Sequence, residues 1–310
     1  MHASASSLLA RTFALTSLGR AYERASHDDG SSDFSTRALA ALDVTIDVAT
    51  EELRHIPASG PLVIVANHPC GAIDGLLLMS LLNRVRSDLK LLGNSLLRCV
   101  PGVQPNLLPL DVLGRTGSIQ RNAAALRQAM RWLKSGGAVL VFPAGEVAHE
   151  QGQDGNALDS TWQPTAVELA ARTNAALLPM FIAGGNSRLF RAAGRIHPLL
   201  RTAMLPRELW SIRGRTIPVR CGPCVLPDEL ASIRDADART AILRARVERL
   251  APAPARHLPA EGAMAPVAAR ADIDRLAGNV AALSPRLVLE SGSYQVFCAP
   301  AADLTEVYPR

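Results

Sequence analysis

The stretch that most constrains the fold reads LVIVANHPCGAIDG and occupies residues 62–75. Its first five residues are apolar and mostly β-branched, and they follow a Ser-Gly-Pro turn, which predicts a short buried strand. Pro69 and Gly71 interrupt that strand, and residues 73–82 have the composition of an apolar helix. In open α/β sheets, ligands bind outside the carboxyl ends of the strands. The residues between this strand and this helix are therefore the first candidates for a functional site.

Two side chains in this stretch have the right chemistry for proton transfer. His68 follows the predicted strand, and Asp74 lies six residues later, in the first turn of the predicted helix. The helix dipole favours a carboxylate there, and a histidine held by a carboxylate is the minimum for a general base. The competing interpretation is that His68 is an ordinary turn residue and Asp74 a helix cap. The density of Asn, Pro and Gly around the pair favours the catalytic interpretation.

Short apolar segments alternate with helical patterns along the rest of the chain. Predicted strands cover residues 89–93, 107–111, 138–142, 176–182 and 216–221, and predicted helices cover residues 73 to about 86, 117–134, 161–173 and 233–250. This alternation predicts an α/β fold with a mixed, largely parallel central sheet flanked by helices.

Composition and periodicity divide the chain into four segments. These are an N-terminal helical segment (residues 1–55), the main domain (56–250), an Ala/Pro-rich linker (251–267) and a C-terminal tail (268–310). The first segment is expected to contain a helix ending near Arg24 and an amphipathic helix over residues 35–55 that packs on the main domain. In the tail, residues 287–290 and 294–299 predict a β-hairpin.

The charge of the chain points to an anionic partner. Lys and Arg number 33 against 28 Asp and Glu, the isoelectric point is near 9.2, and all the basic residues except Lys90 and Lys134 are arginines. Candidate partners are a phospholipid surface, coenzyme A phosphates, an acidic carrier protein and nucleic acid. The low aromatic content argues against nucleic acid, because too few rings are present for base stacking.

The apolar runs, the start of the chain and the cysteines bear on the cellular compartment of the protein. No apolar run approaches the roughly 20 residues of a membrane-spanning helix, so no transmembrane segment is expected. The start of the chain is a poor match to a signal peptide. The five cysteines are odd in number and scattered, which favours a reducing compartment.

The HPxGxxDG pattern that begins at His68 resembles the first block of the lysophospholipid acyltransferase family, in its glycerolipid acyltransferase branch. The form is most similar to the subgroup that includes lyso-ornithine-lipid acyltransferases and hemolysin-like proteins. Five residues separate His68 from Asp74, whereas many members have four. The resemblance implies the glycerolipid acyltransferase fold, His68 and Asp74 as the catalytic pair, and substrate contacts at Asn67, Gly71 and Gly75.

Two more blocks follow in the order found in the family. Residues 108–111 (LPLD), with Arg115 and Arg121 after them, resemble the second block. This implies acceptor contacts at Asp111 and Arg115, although an ordinary solvated loop explains these residues equally well. Residues 178–182 (LPMFI) resemble the fourth block and imply that Pro179 lines the acyl or acceptor site. Without the resemblance, this segment is simply a core strand.

The third block differs from the family pattern in an informative way. Residues 142–146 read FPAGE, which implies substrate contacts at Phe142, Pro143, Gly145 and Glu146. The family normally places here a Glu and an Arg that hold a phosphorylated acceptor, and this chain has Ala144 and Val147 at those positions. We therefore expect a lyso-aminolipid or a diester lysophospholipid as acceptor, in preference to lysophosphatidic acid.

The resemblance implies an O-acyltransferase that moves a fatty acyl group from acyl-CoA or acyl carrier protein to the hydroxyl of a lysolipid, with no metal or other cofactor. The first alternative is a 1-acylglycerol-3-phosphate acyltransferase that makes phosphatidic acid. The second is a non-catalytic protein of the membrane surface. The third is a thiol oxidoreductase that uses the CGPC sequence of Cys221 and Cys224. The absence of a helix directly after this sequence argues against the third.

A basic segment over residues 184–220 supports a membrane role. It contains eight arginines and a single acid: Arg188, Arg191, Arg195, Arg201, Arg207, Arg213, Arg215, Arg220 and Glu208. A solvated basic face is the default interpretation. The functional interpretation is contact with anionic lipid, in a cytoplasmic protein that is peripheral on the inner face of the membrane.

The C-terminal hairpin resembles the opening of the acetyltransferase-like domain that follows this type of acyltransferase in bifunctional lipid-synthesis proteins. The tail is therefore expected to be a shortened form of that domain.

Overall fold

The structure is a computed structural model that describes residues 15–27, 32–111, 117–148, 150–151, 157–187, 189–190, 198–252, 287–291 and 294–297. The chain separates into two compact units, Met1–Pro254 and Ala255–Arg310. The candidate site lies within the first unit. The four predicted segments and their boundaries stay predictions.

A seven-stranded sheet forms the centre of the first unit. Its strands are β1 (Thr45–Asp47), β2 (Leu62–Ala66), β3 (Leu89–Asn94), β4 (Leu107–Leu110), β5 (Ala138–Val141), β8 (Ala176–Ile182) and β9 (Thr216–Cys221), and β6 (Glu150–Gln151) pairs with β7 (Ala157–Leu158) outside the sheet. The strand order is β1-β9-β8-β2-β5-β3-β4. Only β8 and β9 pair antiparallel; the other neighbours in this sheet are parallel. The predicted mixed, largely parallel sheet is confirmed.

Helices cover both faces of the sheet. They are α1 (Leu15–Ser26), α2 (Phe34–Ala41), α3 (Ala72–Leu82), α4 (Ser118–Lys134), α5 (Thr165–Thr173), α6 (Pro198–Ser211), α7 (Pro227–Ala231) and α8 (Ala236–Glu248). Side chains of α1, α2 and α3 pack with Leu62 and Ile64 of β2. Side chains of α4, α5 and α8 pack with Val63 and Val65 on the other face. All five residues of β2 are fully buried, as a central strand with helices on both faces requires.

The prediction of one amphipathic helix over residues 35–55 is wrong. Helix α2 ends at Ala41, and Asp43 then adopts a left-handed conformation with φ 54°. The chain continues as β1, which pairs in parallel with β9. Glu52–His55 forms only a short 3₁₀ turn. The backbone pairing available to the edge of the sheet outweighs the helical spacing of the apolar residues.

Three other helices are shorter than predicted, and one of them is α8, which begins after its N-cap Asp235 and ends at Glu248. Helix α3 ends at Leu82 and does not continue to Arg86. The buried Arg86 guanidinium instead binds Asp88 at 2.7 Å and the carbonyl oxygens of Pro57 and Gly60. Helix α5 begins at Thr165, because Pro164 occupies its N-cap position. Within the described ranges, no helix is both long enough and apolar enough to span a bilayer.

The second unit contains the hairpin predicted for the tail. Strand β10 (Leu287–Ser291) pairs antiparallel with β11 (Tyr294–Phe297), with an irregularity in register between Leu287 and Leu289. The predicted Ala/Pro-rich linker lies almost wholly outside the described residues. The resemblance of the tail to an acetyltransferase-like domain stays a prediction.

Candidate active site

His68 and Asp74 form a hydrogen-bonded pair at the carboxyl end of β2. The distance from His68 Nδ1 to Asp74 Oδ2 is 2.9 Å, with Asp74 fully buried and the His68 side chain 17% exposed. A carboxylate can only accept a hydrogen bond, so Nδ1 carries the imidazole proton. The lone pair is then on Nε2, which is the ring nitrogen that can take a proton from a substrate.

The turn between β2 and α3 fixes the carboxylate of Asp74. The backbone N–H groups of Cys70 and Gly71 both donate to Asp74 Oδ2 at 2.9 Å. The other oxygen, Oδ1, has no hydrogen-bond partner within the part of the chain that the structure describes. Gly71 has φ +87°, and a Cβ there would lie 3.4 Å from side-chain atoms of Val147 and Leu205. Only glycine fits this turn without strain.

The loop after β5 packs against His68. The rings of His68 and Phe142 stack with 4.2 Å between their centroids and 21° between their planes. The N–H of Ala148 donates to the carbonyl oxygen of His68 at 2.9 Å. These contacts bring the segment that resembles the third block of the family next to the imidazole.

The remaining residues of that block form the rim of the site. Gly145 is exposed with φ +69°, and its N–H donates to the carbonyl oxygen of Phe142 at 3.0 Å. Pro143 is buried, and its carbonyl oxygen accepts a hydrogen bond from Gln163. Glu146 is half-buried. Gly145 and Glu146 therefore lie where a substrate could reach them.

Asn67 and Pro179 are both buried, Asn67 directly after the end of β2 and Pro179 within β8. The Asn67 amide donates to the carbonyl oxygen of Ile182 at 2.8 Å and accepts from the Ile182 N–H at 2.7 Å. Asn67 therefore ties the ends of β2 and β8 together directly before His68. Pro179 is buried within β8, in register with Val65. The structure gives both residues contacts that support the fold.

The predicted second block lies at the same edge of the sheet, but away from His68. Asp111 follows β4, and two strands separate β4 from β2, which corresponds to a distance of roughly 14 Å. The buried Asp111 carboxylate forms an ion pair with Arg121, and its backbone N–H donates to Asn122 at 2.7 Å. Arg115 lies outside the described residues.

Gly75 borders an apolar cavity of about 230 Å³ that sequence reasoning missed. The cavity lies between α1, α2 and α3, and its lining includes Leu18, Tyr22, Phe34, Ala72, Leu76 and Met79. Ala72 and Gly75 flank Asp74 in the chain, so the first turn of α3 borders both the cavity and the catalytic pair. No local sequence pattern marks this cavity, because four helices (α1, α2, α3 and, through Leu209, α6) and the loops after β3 build it together.

Asp159 is a second carboxylate next to His68 that sequence reasoning missed. Its Oδ1 accepts the backbone N–H of His68 at 3.1 Å, and its Oδ2 accepts the indole N–H of Trp162 at 2.9 Å. Burial raises the pKa of Asp159, and the hydrogen bonds from His68 and Trp162 oppose this shift. Asp159 matched no motif, so only the folded structure reveals the contact.

The CGPC sequence is in a poor environment for redox chemistry. Burial raises the pKa of Cys221 to about 12 and that of Cys224 to about 11. Both groups are therefore protonated thiols at neutral pH, whereas thiol–disulfide exchange requires a thiolate. This argues against the thiol oxidoreductase alternative.

The predicted basic segment is only partly described. Arg188, Arg191 and Arg195 lie outside the described residues. Arg213 lies over the ring of Trp210 at 4.4 Å, and Arg220 forms a 3.2 Å ion pair with Asp47. The interpretation of this segment as a continuous lipid-binding patch stays a prediction.

Comparisons with known proteins agree on one class of enzyme. A family model described as acyltransferase matches residues 27–260. A lyso-glycine lipid O-acyltransferase from Phocaeicola vulgatus is 29% identical over 159 residues, which are 51% of this chain and 54% of the relative. A protein of the same name from Bacteroides thetaiotaomicron is 27% identical over 159 residues, or 51% of this chain and 55% of that relative. The chain thus spans about half the length of these curated relatives.

A solved structure was also matched. It is the crystal structure of a 1-acyl-sn-glycerophosphate acyltransferase, PlsC, from Thermotoga maritima, with 21% identity and a TM-score of 0.45. The match covers 75% of this chain and 79% of that one.

Proposed function

We propose that this chain, which belongs to the acyltransferase family, transfers a fatty acyl group from an acyl thioester to the hydroxyl of a lysolipid. The match of the family model to residues 27–260 confirms the resemblance that the sequence blocks indicated. The observation that carries the proposal is the 2.9 Å contact between His68 Nδ1 and the buried carboxylate of Asp74. This contact leaves Nε2 as the base.

In the proposed reaction, Nε2 of His68 takes the proton of the acceptor hydroxyl as its oxygen attacks the carbonyl carbon of the thioester. The tetrahedral intermediate then collapses, the carbon–sulfur bond breaks, and the imidazolium returns the proton to the leaving thiolate. Asp74 fixes the tautomer of the neutral imidazole and then stabilises the imidazolium that forms. The proposed acyl donor is the thioester of coenzyme A or of acyl carrier protein. The proposed reaction uses no metal or other cofactor.

The apolar cavity is the proposed site of the acyl chain. Its lining is almost entirely apolar, and it is bordered by Ala72 and Gly75 on either side of Asp74. If the carbonyl carbon of the thioester lies near His68, the alkyl chain of the donor can extend along α3 into the cavity. Each methylene buried there contributes about 0.8 kcal/mol, so a long-chain donor is favoured.

The surroundings of Gly71 support an acceptor without a phosphate monoester. Ala144 is buried, and Val147 packs against the buried side chains of Phe190 and Met204. These apolar residues stand where the family normally has the charged pair for a phosphate, and a buried phosphate without a charged partner is costly. We infer a lyso-aminolipid acceptor, such as a lyso-ornithine or lyso-glycine lipid. Lyso-glycine lipid is the acceptor in the names of the two curated relatives.

Exposed apolar side chains support contact with a membrane at the edge that contains His68. Four of them follow the carboxyl ends of strands β3, β4, β5 and β8: Leu96 (43% exposed), Ile119 (80%), Leu158 (41%) and Leu189 (55%). The exposed Arg98 and the half-exposed Arg121 lie near the first two in the chain. Apolar side chains interspersed with arginines fit the interface of an anionic bilayer. We propose that this edge rests on the inner face of the membrane.

The test is to incubate the purified protein with long-chain acyl-CoA or acyl carrier protein thioester and a panel of lysolipids. Products are identified by mass spectrometry. The panel contains lyso-ornithine lipid, lyso-glycine lipid, lysophosphatidylcholine and lysophosphatidic acid, and kcat/KM is compared because that ratio measures discrimination. We expect the highest value with a lyso-aminolipid. A preference for lysophosphatidic acid would support the phosphatidic acid alternative instead.

A further inference from the structure

The carboxylate of Asp159 contacts the residue that acts as base, although it comes from a distant part of the chain. Asp159 lies 91 residues after His68, and its Oδ1 accepts the His68 backbone N–H at 3.1 Å. The charge of His68 also acts on Asp159, as does that of Asp74. The two carboxylates therefore belong to one electrostatic environment around the imidazole.

The surroundings of Asp159 hold this carboxylate in place. The residue is 8% exposed, and its second oxygen accepts the indole N–H of the buried Trp162 at 2.9 Å. Arg244 on α8 donates to the backbone carbonyl oxygens of Asp159 and Ser160 at 3.0 and 3.1 Å. A buried carboxylate costs free energy unless it is paired and hydrogen-bonded. Both carboxylate oxygens of Asp159 accept a hydrogen bond, and one of these bonds comes from the backbone N–H of His68.

We propose that Asp159 is a positioning residue for the base, because it fixes the backbone of His68 and adds a second negative charge that stabilises the imidazolium. This inference rests on the proposed function. Asp74 acts on the imidazole directly, at Nδ1. Asp159 acts through the main chain and through space, so its loss should weaken proton transfer without removing the pair of His68 and Asp74.

The test compares two variants that differ only at residue 159, where a carboxylate is replaced by a neutral amide. An amide oxygen cannot accept from both His68 and Trp162 in the place of two carboxylate oxygens, so Asp159→Asn alone would leave one donor unpaired. In Asp159→Asn/Trp162→Phe the indole donor is also removed, and the amide oxygen can still accept the His68 N–H. The matched reference is Trp162→Phe alone, which retains the charge.

Among the residues that the structure describes, the other charged or titratable groups on the elements packed around this contact include Asp74, Cys70, Glu146, Glu208 and Arg244. Burial, followed by the charge of Asp74, raises the pKa of Cys70 well above its ordinary value, so this thiol is uncharged at neutral pH. All five are the same in both variants. A difference between the variants therefore arises at residue 159, and a change in the pH midpoint of His68 is the part of it that reports charge.

The first readout needs no substrate. The rate at which diethyl pyrocarbonate modifies His68 is followed against pH by peptide mass spectrometry, with the exposed His27 as internal reference. Only neutral imidazole reacts. The double variant should show its midpoint at lower pH than Trp162→Phe, because the imidazolium has lost the negative charge of Asp159. Equal midpoints for His68 in the two variants would overturn the proposal.

The second readout is the pH profile of kcat/KM for acyl transfer. Its acid limb should move to lower pH in the double variant, and kcat should fall roughly tenfold, with little change in KM for the donor. Asp159→Glu retains a carboxylate and should keep most of the wild-type profile. A fall in kcat with an unmoved acid limb would indicate a purely structural role and overturn the proposal.

Two controls keep the outcomes distinguishable. If the double variant fails to fold, Asp159→Ser/Trp162→Phe is compared with Trp162→Phe, because this pair also removes the charge without leaving the indole N–H unpaired. If the wild-type protein transfers no acyl group to any lysolipid, the proposed function fails. The modification midpoints of His68 still decide the role of Asp159 in that case.

Discussion

The buried carboxylate of Asp74 receives three hydrogen bonds on one oxygen, one of them from Nδ1 of His68 at 2.9 Å. The other two come from the backbone N–H groups of Cys70 and Gly71, in the turn that links β2 to α3. The turn therefore acts as the device that orients the base. The conformation of this turn, the apolar cavity beside it and the exposed apolar side chains at the same edge of the sheet can each be tested by substitution.

Gly71→Ala should reduce both stability and activity. Residue 71 has φ +87°, and the new methyl group would contact Val147 and Leu205. We expect the free energy of unfolding to fall by about 1–3 kcal/mol, and kcat to fall because the N–H at 71 leaves Asp74. Gly136→Ala is the control, since Gly136 has φ +91° with open space around it. Urea unfolding and acyl transfer should show stability loss in both variants and activity loss only in Gly71→Ala. Equal activity would contradict the role of the turn.

Met79→Trp should shorten the preferred acyl chain. Met79 lines the apolar cavity on α3, one turn beyond Gly75. Each methylene that the larger side chain excludes costs about 0.8 kcal/mol, so kcat/KM should fall roughly fourfold per excluded methylene. The measurement is kcat/KM across donors of increasing chain length. Met130→Trp, on the opposite face of the sheet, is the control. An unchanged chain-length profile would show that the acyl chain binds elsewhere.

Leu189→Ser should weaken binding to anionic vesicles. Leu189 is 55% exposed and follows β8 at the edge that contains His68. Leu226→Ser is a matched control, because Leu226 is 56% exposed but adjoins Val225, which bridges to the early part of β8 at Leu177. Co-sedimentation should show weaker binding for Leu189→Ser alone. Binding should also weaken as salt rises, since salt screens the exposed arginines. Equal losses in the two variants would rule out a specific membrane-facing edge.

Replacing Cys221 and Cys224 with Ala should leave acyl transfer intact. The raised pKa values, about 12 and about 11, mean that the thiolate fraction is small at neutral pH and rises only as pH approaches these values. Alkylation by iodoacetamide should therefore be slow at pH 7 and accelerate at alkaline pH. The exposed Cys99 serves as the internal reference. Fast alkylation of Cys221 or Cys224 at pH 7, or a large loss of acyl transfer, would revive the oxidoreductase alternative.

The sequence predicted the centre of the fold well because its signals there are local. The apolar strand, the Pro and Gly turn and the apolar helix of residues 62–82 each depend on neighbours in the chain, and the pair of His68 and Asp74 follows from them. Residues 35–55 were predicted wrongly because their strand pairs with β9, about 170 residues away. Helical spacing of apolar residues gives no information about such a partner.

The rest of the site depends on contacts that no spacing rule encodes. Asp159 reaches His68 across 91 residues, and the cavity exists only where α1 and α2 pack over α3. Asn67 and Pro179 matched the pattern of the family. Only the folded structure shows that both are buried and that Asn67 binds the backbone of Ile182.

The most direct test of the account is acyl transfer to the preferred lysolipid by wild type, His68→Ala, Asp74→Asn and the control His27→Ala. Product is quantified by mass spectrometry, and folding is checked by circular dichroism. Loss of the base should reduce kcat by roughly 10²–10⁴-fold. Asp74→Asn should also reduce kcat strongly, because an amide no longer holds the tautomer with the proton on Nδ1. His27→Ala, at an exposed position, should retain wild-type turnover. Near-wild-type turnover by folded His68→Ala would contradict the proposed mechanism.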